Sequence, residues 1–148
     1  MKRKVLSWIL VIFWMALIFY LSHQPAAESN GLSSGVTDMI VDIINRTVPD
    51  IALESGSFNY FIRKCAHFFA YMILGVLVAN CLLNTNVPKP RLFLLALLIC
   101  ILYAISDEIH QMFIPGRSGQ VSDVLIDSTG GLVGILGLSA IRRRKSKI

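Results

Sequence analysis

Polar residues are scarce through most of this sequence, and the scarcity excludes more than any motif does. Of the 148 residues, 55% are apolar, a share that soluble domains of ordinary composition rarely reach. A membrane is the simplest solvent for such a chain. No internal repeat is evident, and a chain whose solvent is lipid has no separate cores to divide, so residues 1–148 read as one domain. Cysteine is sparse: Cys65, Cys81 and Cys100 all lie in or beside apolar runs, where the residue is a small buried hydrophobe rather than a bridge or a metal ligand. No folded basic surface of the kind that nucleic acid requires is suggested. The opening Met1-Lys2-Arg3-Lys4 followed by an apolar run has the outline of a secretory signal. However, the run exceeds the usual length of about 7–15 residues and Ala26-Ala27 is a poor cleavage site, so it reads as a retained helix.

What is present is a set of four apolar segments, at residues 5–22, 63–83, 91–112 and 121–141. Three approach the roughly 20 residues needed to cross a hydrocarbon core of about 30 Å. The strictly apolar part of the third span, residues 92–105, is too short, so that helix must continue through Ser106, Asp107, Glu108, Ile109, His110 and Gln111 to reach water. The expected fold is all-α, a four-helix transmembrane bundle. Between the first two spans lies an outer loop, residues 23–62. Within it Val36, Met39, Ile40, Ile43, Ile44 and Val48 recur at helical spacing opposite Asp38, Asp42, Asn45 and Arg46. This predicts an amphipathic helix over residues 34–47, capped by Ser33 or Ser34 and ended near Pro49, lying along the outer interface as a lid or as a surface helix.

Charge is sorted by side. Lys2, Arg3 and Lys4 precede the first span, Lys89 and Arg91 separate the second from the third, and Arg142, Arg143, Arg144, Lys145 and Lys147 follow the fourth. Such clusters mark cytoplasmic segments, so both termini are expected in the cytoplasm. All nine acidic residues fall on the opposite side: Glu28, Asp38, Asp42, Asp50 and Glu54 in the outer loop, and Asp107, Glu108, Asp123 and Asp127 near outer helix ends. At 1.5 Å per residue, Asp107 lies about 24 Å from Arg91, and Asp127 about 21 Å from Ile141. Both carboxylates are therefore expected within the span, where an ionisable group costs roughly 2.5–3.5 kcal/mol and turns inward.

Arg63, His67 and Tyr71 form one descending stripe on the second span, Asp107, His110 and Gln111 another on the third, and Asp123 and Asp127 a third on the fourth. Gly130, Gly134 and Gly137 extend the Asp127 face, and small residues at that spacing permit close backbone approach. The expectation is a polar pocket at the outer leaflet lined by Arg63, Lys64, His67, Asp107, Glu108, His110, Gln111, Arg117, Asp123 and Asp127. A plainer reading pairs Arg63 with Asp107 and Arg117 with Asp123 as structural ion pairs. A proton or ion pathway is disfavoured, because the inner halves of the last three spans are almost wholly apolar.

The run from Arg63 through Lys64, His67 and Tyr71 to Leu74-Gly75 resembles the second-helix motif of the VanZ-like family. The longer run from Ser106-Asp107-Glu108 through His110-Gln111 to Pro115-Gly116-Arg117, then Asp123-Val124 and Gly130-Gly131, is similar to that family's signature, and Ser22 to Pro25 to its first-helix exit. The likeness spans nearly the whole chain in order. Many members carry Asn where this chain has Asp127, so the resemblance implies a hydrogen-bonding group there rather than a negative charge. The family is named for a protein linked to teicoplanin resistance, which implies a bacterial cell-envelope location and leaves the reaction open.

Residue type alone suggests roles. Arg63, Lys64 and Arg117 suit an anionic, phosphate-bearing head group, with Glu108, Gln111 and Asp127 completing substrate binding. His67 or His110 can move protons near neutral pH, oriented by Asp107 or Asp123, or a histidine can act as nucleophile. A metal-dependent version would draw a mixed shell from Asp107, Glu108, His110, Asp123 and Asp127, without the paired histidines of a helical zinc site. No cofactor is specified. One reading is a lipid-phosphate hydrolase or transferase; the other is a non-enzymatic binding or scaffold protein. The partner in either case is a membrane lipid or lipid-linked cell-wall precursor, with a second copy of the chain as a possible companion.

Overall fold

The computed structural model describes residues 2–47, 55–85 and 87–145. They form five helices: α1 (Lys2–Ser22), α2 (Ala26–Thr47), α3 (Ser55–Leu83), α4 (Lys89–Gln111) and α5 (Val121–Lys145). No strand occurs among the described residues. Helices α1, α3, α4 and α5 each contain a segment long and apolar enough to cross a membrane, and together they form the bundle of a multi-pass membrane protein. Their outward faces carry Phe13, Leu94, Leu102, Leu125 and Leu136, all exposed, as a lipid-facing surface requires.

The connections follow from local chemistry. Between α3 and α4 the chain turns on bonds from Asn84 N to Cys81 O (3.1 Å) and from Thr85 N to Leu82 O (2.9 Å). Pro88 then adopts an extended conformation at the N-cap, and Pro90 sits in the first turn of α4, where a missing N–H costs nothing. After α4, bonds from Phe113 N to His110 O and from Ile114 N to Gln111 O tighten the exit. Gly116 has φ +75°, a left-handed conformation that favours glycine. This turn receives the start of α2 directly, because Ala26 N–H donates to Pro115 O at 3.2 Å.

That contact bears on the outer loop. The amphipathic helix expected over residues 34–47 begins eight residues earlier, at Ala26. Ser34 is therefore no cap; it lies within the helix and its hydroxyl donates to Gly31 O. The second span likewise begins before the expected residue 63, as α3 starts at Ser55. Met39 and Ile43 are exposed while Thr37 is buried and donates to Asn59 of α3. Val48, Pro49, Asp50, Glu54 and Lys147 lie outside the described residues, as do the side chains of Ser33, Val36, Asn45, Arg144 and Lys145.

Packing is tightest between α3 and α5. A Cβ added to Gly130 would overlap the carbonyl oxygen of Phe68, one on Gly134 that of Met72, and one on Gly75 that of Gly131. Lipid tails supply no hydrophobic drive between helices, so such close backbone contact is a main source of cohesion. Gly137 does not continue the seam as expected: the space beside it is open. On its other side α5 meets α4, with Gly131 against Cys100. Helix α1 is fastened from below the site by Trp14 Nε1 to Ala70 O (2.9 Å) and by Tyr103 Oη to Met15 O (2.6 Å).

Gly130→Ala and Gly134→Ala each force α3 and α5 apart. Each should destabilise the protein by about 1–3 kcal/mol, the usual cost of overpacking. Gly137→Ala should leave thermal stability in detergent unchanged or slightly raised, since helix propensity improves and nothing is displaced. Equal melting temperatures for all three variants would contradict this account of the seam.

Candidate functional site

One end of the bundle gathers nearly all the buried polar groups: Lys64, Asp107, Glu108, Gln111, Asp123 and Asp127, with Ser22 beside them. Four helices supply them. The seam between α3 and α5 sets the first contacts, because Phe68, which meets Gly130, directly follows His67 in sequence. One turn above that glycine, Asp127 Oδ2 lies 3.4 Å from His67 Nδ1. One turn further, Lys64 forms a buried ion pair with Asp123. Its ammonium also reaches Gln120 Oε1 at 3.3 Å and stands 4.8 Å above the Tyr60 ring.

Helix α4 contributes the second half. Gln111 donates from Nε2 to both Asp107 Oδ2 (3.2 Å) and Glu108 Oε1 (3.0 Å), and its Oε1 accepts from Arg117 Nη1 (3.2 Å). Ser22, the last residue of α1, donates to Asp107 Oδ2 at 2.9 Å. The backbone N–H of Gln120 donates to Glu108 Oε2 at 2.8 Å. Arg117 returns to α1 through Nη2 to Leu21 O (3.2 Å). Burial foremost, and then the like charge of Arg63, lowers the Arg117 pKa, but a guanidinium starts so high that it stays charged.

A cavity of about 270 Å³ opens beside this network. Its apolar wall is Ile18, Leu21, Ile62, Ala66 and Ala70; its polar lining is Ser22, Gln24, Ser29, Arg63, His67, Tyr71 and Arg117. Two guanidinium groups and one imidazole thus face a cleft with greasy sides. A second cavity, of about 370 Å³, lies between α2 and α3 and shares Arg63 with the first.

Most of the ten residues expected to converge are brought together, with particular differences. His110 is not among them. It turns towards α1, where its Nε2 lies 3.1 Å from His23 Nδ1 and its ring stacks on Phe19 at 4.3 Å. Glu108 and Asp107 fix the inward direction of α4, and His110 lies about 60° round the helix from Asp107 and about 160° from Glu108. Asp123 is committed to Lys64, and the carboxylate within hydrogen-bond reach of His67 is Asp127 rather than Asp107 or Asp123. Neither Arg63–Asp107 nor Arg117–Asp123 occurs among the ion pairs of the described residues. The sequence reading gave no role to Gln120, which lies in a short polar turn with no periodicity to interpret. Ser22 carried only the resemblance, since nothing linear ties it to a carboxylate 85 residues away.

Lys64 and Asp123 give a direct test of the network. Lys64→Ala leaves a buried carboxylate unpaired and should cost about 3–5 kcal/mol, whereas the double variant Lys64→Met, Asp123→Leu should recover most of that loss. Thermal melting of the two variants measures it; equal losses would mean that the pair is not coupled.

The sequence profile of the VanZ/LLP1 family matches residues 7–142, which covers α2, the whole polar cluster and all of the four spans but the ends of the first and last. No curated protein and no solved structure matches the chain. With that match extending over nearly its full length, the chain belongs to the VanZ/LLP1 family.

Proposed function

We propose that this protein takes the phosphate-bearing head group of a lipid or lipid-linked cell-envelope precursor at the outer leaflet and cleaves or transfers it. The observation that carries the reading is the composition of the first cavity, in which Arg63, Arg117 and His67 face a space walled by Ile18, Leu21, Ile62, Ala66 and Ala70. An anionic amphiphile is the chemical complement of that lining. Guanidinium groups match phosphate oxygens with a planar fork. At about 270 Å³ the cleft is near the low end for a ligand pocket, so it suits a head group whose chain lies along the apolar wall.

In hydrolysis, water forms the new bond to phosphorus while the bond to the lipid oxygen breaks. His67 accepts the proton of the water and returns it to the leaving oxygen, and Asp127, 3.4 Å from its ring, orients the imidazole. The outer-leaflet position rests on the charge sorting: Arg91, Arg142 and Arg143 lie at the end of the bundle opposite the carboxylates, which supports cytoplasmic termini.

A second reading, binding without chemistry, is favoured by one observation. With His110 paired to His23, His67 is the one histidine that lines the cavity, so a second imidazole for proton transfer is missing there. Either activity changes how many wall precursors are accessible, so susceptibility to a glycopeptide such as teicoplanin is an additional readout in cells.

Phosphate release from a panel of phospholipids and polyprenyl phosphates, measured on the detergent-purified protein, separates the readings. The enzyme predicts turnover that falls about 10²–10⁴-fold in His67→Ala, the usual worth of a general acid–base group, and that is also lost in Asp107→Asn. Arg117→Ala should mainly raise KM. Saturable binding without turnover, weakened by Arg117→Ala, would favour the binding protein; absence of both would remove both readings.

A further inference from the structure

We infer that His67, Asp107, Glu108 and Asp127 form a binding site for one first-row divalent metal ion, of the Mn²⁺ or Zn²⁺ type. One ligand atom from each of these four side chains lies within 4.8 Å of every other. Two ligands of a single ion, each about 2.1 Å from it, stand at most about 4.2 Å apart. Four ligands spread tetrahedrally stand closer, about 3.4 Å apart, so an ion would draw these atoms inward by roughly 1 Å, which side-chain rotation can supply. The ligands come from α3, α4 and α5, so an ion would tie three helices together.

An independent observation concerns the oxygens left over. Asp107 and Asp127 are 2% and 0% exposed, and the Oδ1 atom of each is buried with no hydrogen-bond partner. Their other oxygens are held: Asp107 Oδ2 by Ser22 and Gln111, Asp127 Oδ2 by His67. Both Glu108 oxygens also accept, from Gln111 and from the Gln120 backbone. Asp107 and Glu108 are thus fixed by residues outside the set, and Asp107 and Asp127 each keep one buried oxygen without a partner, as carboxylates awaiting an ion would.

Charge points the same way. Three carboxylates meet one imidazole, and no Lys or Arg pairs with any of the three among the described residues: Lys64 pairs with Asp123, Arg117 bonds Gln111 and Leu21 O, and Arg63 faces the cavity. Buried acids in lipid require compensation, and a dication supplies it. The donor set chooses the ion. Three oxygens are too few for Ca²⁺, Mg²⁺ binds reluctantly without several waters, and one imidazole favours a transition metal that accepts both oxygen and nitrogen.

With an ion bound, His67 is a ligand, so the general-base role given to it above belongs to the metal-free site. The test uses the metal alone and no lipid, and its outcome is separate from that of the head-group reading. The full chain, purified in detergent and stripped with a chelator, is titrated with Mn²⁺ and Zn²⁺ by calorimetry and thermal melting. Expected are one ion per chain, a melting temperature that rises with metal concentration, and affinity reduced by tenfold or more, on the order expected for metal-site changes, in Asp107→Asn and Asp127→Asn. Because these variants can lose structure for other reasons, pulsed EPR of the Mn²⁺-loaded wild type supplies a second readout, a nitrogen coupling that His67→Gln removes. His110→Ala should bind as the wild type does. Binding lost in His110→Ala but kept in Asp127→Asn would move the ion to the His23–His110 pair and overturn the inference. A folded wild type that binds neither ion would overturn it as well.

Discussion

The backbone contact between α3 and α5 is the constraint on which the rest of this structure depends. Gly130 and Gly134 let α5 lie against the carbonyls of Phe68 and Met72, closer than any residue with a Cβ would allow. That approach fixes the rotation of both helices. Once Gly130 faces Phe68, Asp127 is carried to His67 and Asp123 to Lys64, each pair one helical turn further along. In lipid, where apolar side chains gain nothing by leaving their solvent for one another, a seam of small residues can set the geometry of a polar cluster that would be costly to form alone.

The cluster then supplies what the seam lacks. Helix α4 touches α5 through Gly131 and Cys100, and its outer end is held by Gln111, which joins Asp107, Glu108 and Arg117 in one amide. Ser22 and Leu21 O bring the end of α1 to the same place. The loop after α4 is secured by Gln120 N–H on Glu108 and by Pro115 O receiving Ala26 of α2. A hydrogen-bond network shared by α1, α3, α4, α5 and the connection after α4 makes the stability of this end depend on every member, because removal of one leaves another buried polar group unpartnered.

Much of this was legible in the sequence because two signals were strong. Apolar runs of membrane length give the spans, and the confinement of every acidic residue to one side gives the polar end. Rotation about each helix was the weak point. Taking about 100° per residue, Asp107, Gln111 and Glu108 fall within one 100° sector, while His110 lies about 60° outside it on the Asp107 side. The i, i+3, i+4 pattern of Asp107, His110 and Gln111 fits a face just as well if Glu108 is left out, and only the burial of Glu108 decides between them. On α3 the same wheel places Arg63 and Lys64 on opposite flanks of His67, which is why one lines the cavity and the other pairs across the seam. The early start of α2 had no signal, since Glu28, Ser29, Asn30 and Gly31 offer no apolar period; a tertiary bond from Ala26 to Pro115 helps hold it.

The one-sidedness of the polar groups also limits what the site can be for. Towards the other end, the interior is closed by Leu74, Val78, Ala96, Cys100 and Ile135, all fully or almost fully buried. The smallest of these, Ala96 and Cys100, sit where α4 meets its neighbours, so their size brings helices together and opens no path. Polar contacts near the far end, such as Asn84 with Ser7 and Arg142 with Asn80, tie helices rather than continue the cluster. On the proposed reading, a substrate therefore arrives and leaves at the same surface. The proposed ligand, an amphiphile residing in one leaflet, fits a cleft with guanidinium groups beside an apolar wall better than would a solute in transit through the membrane.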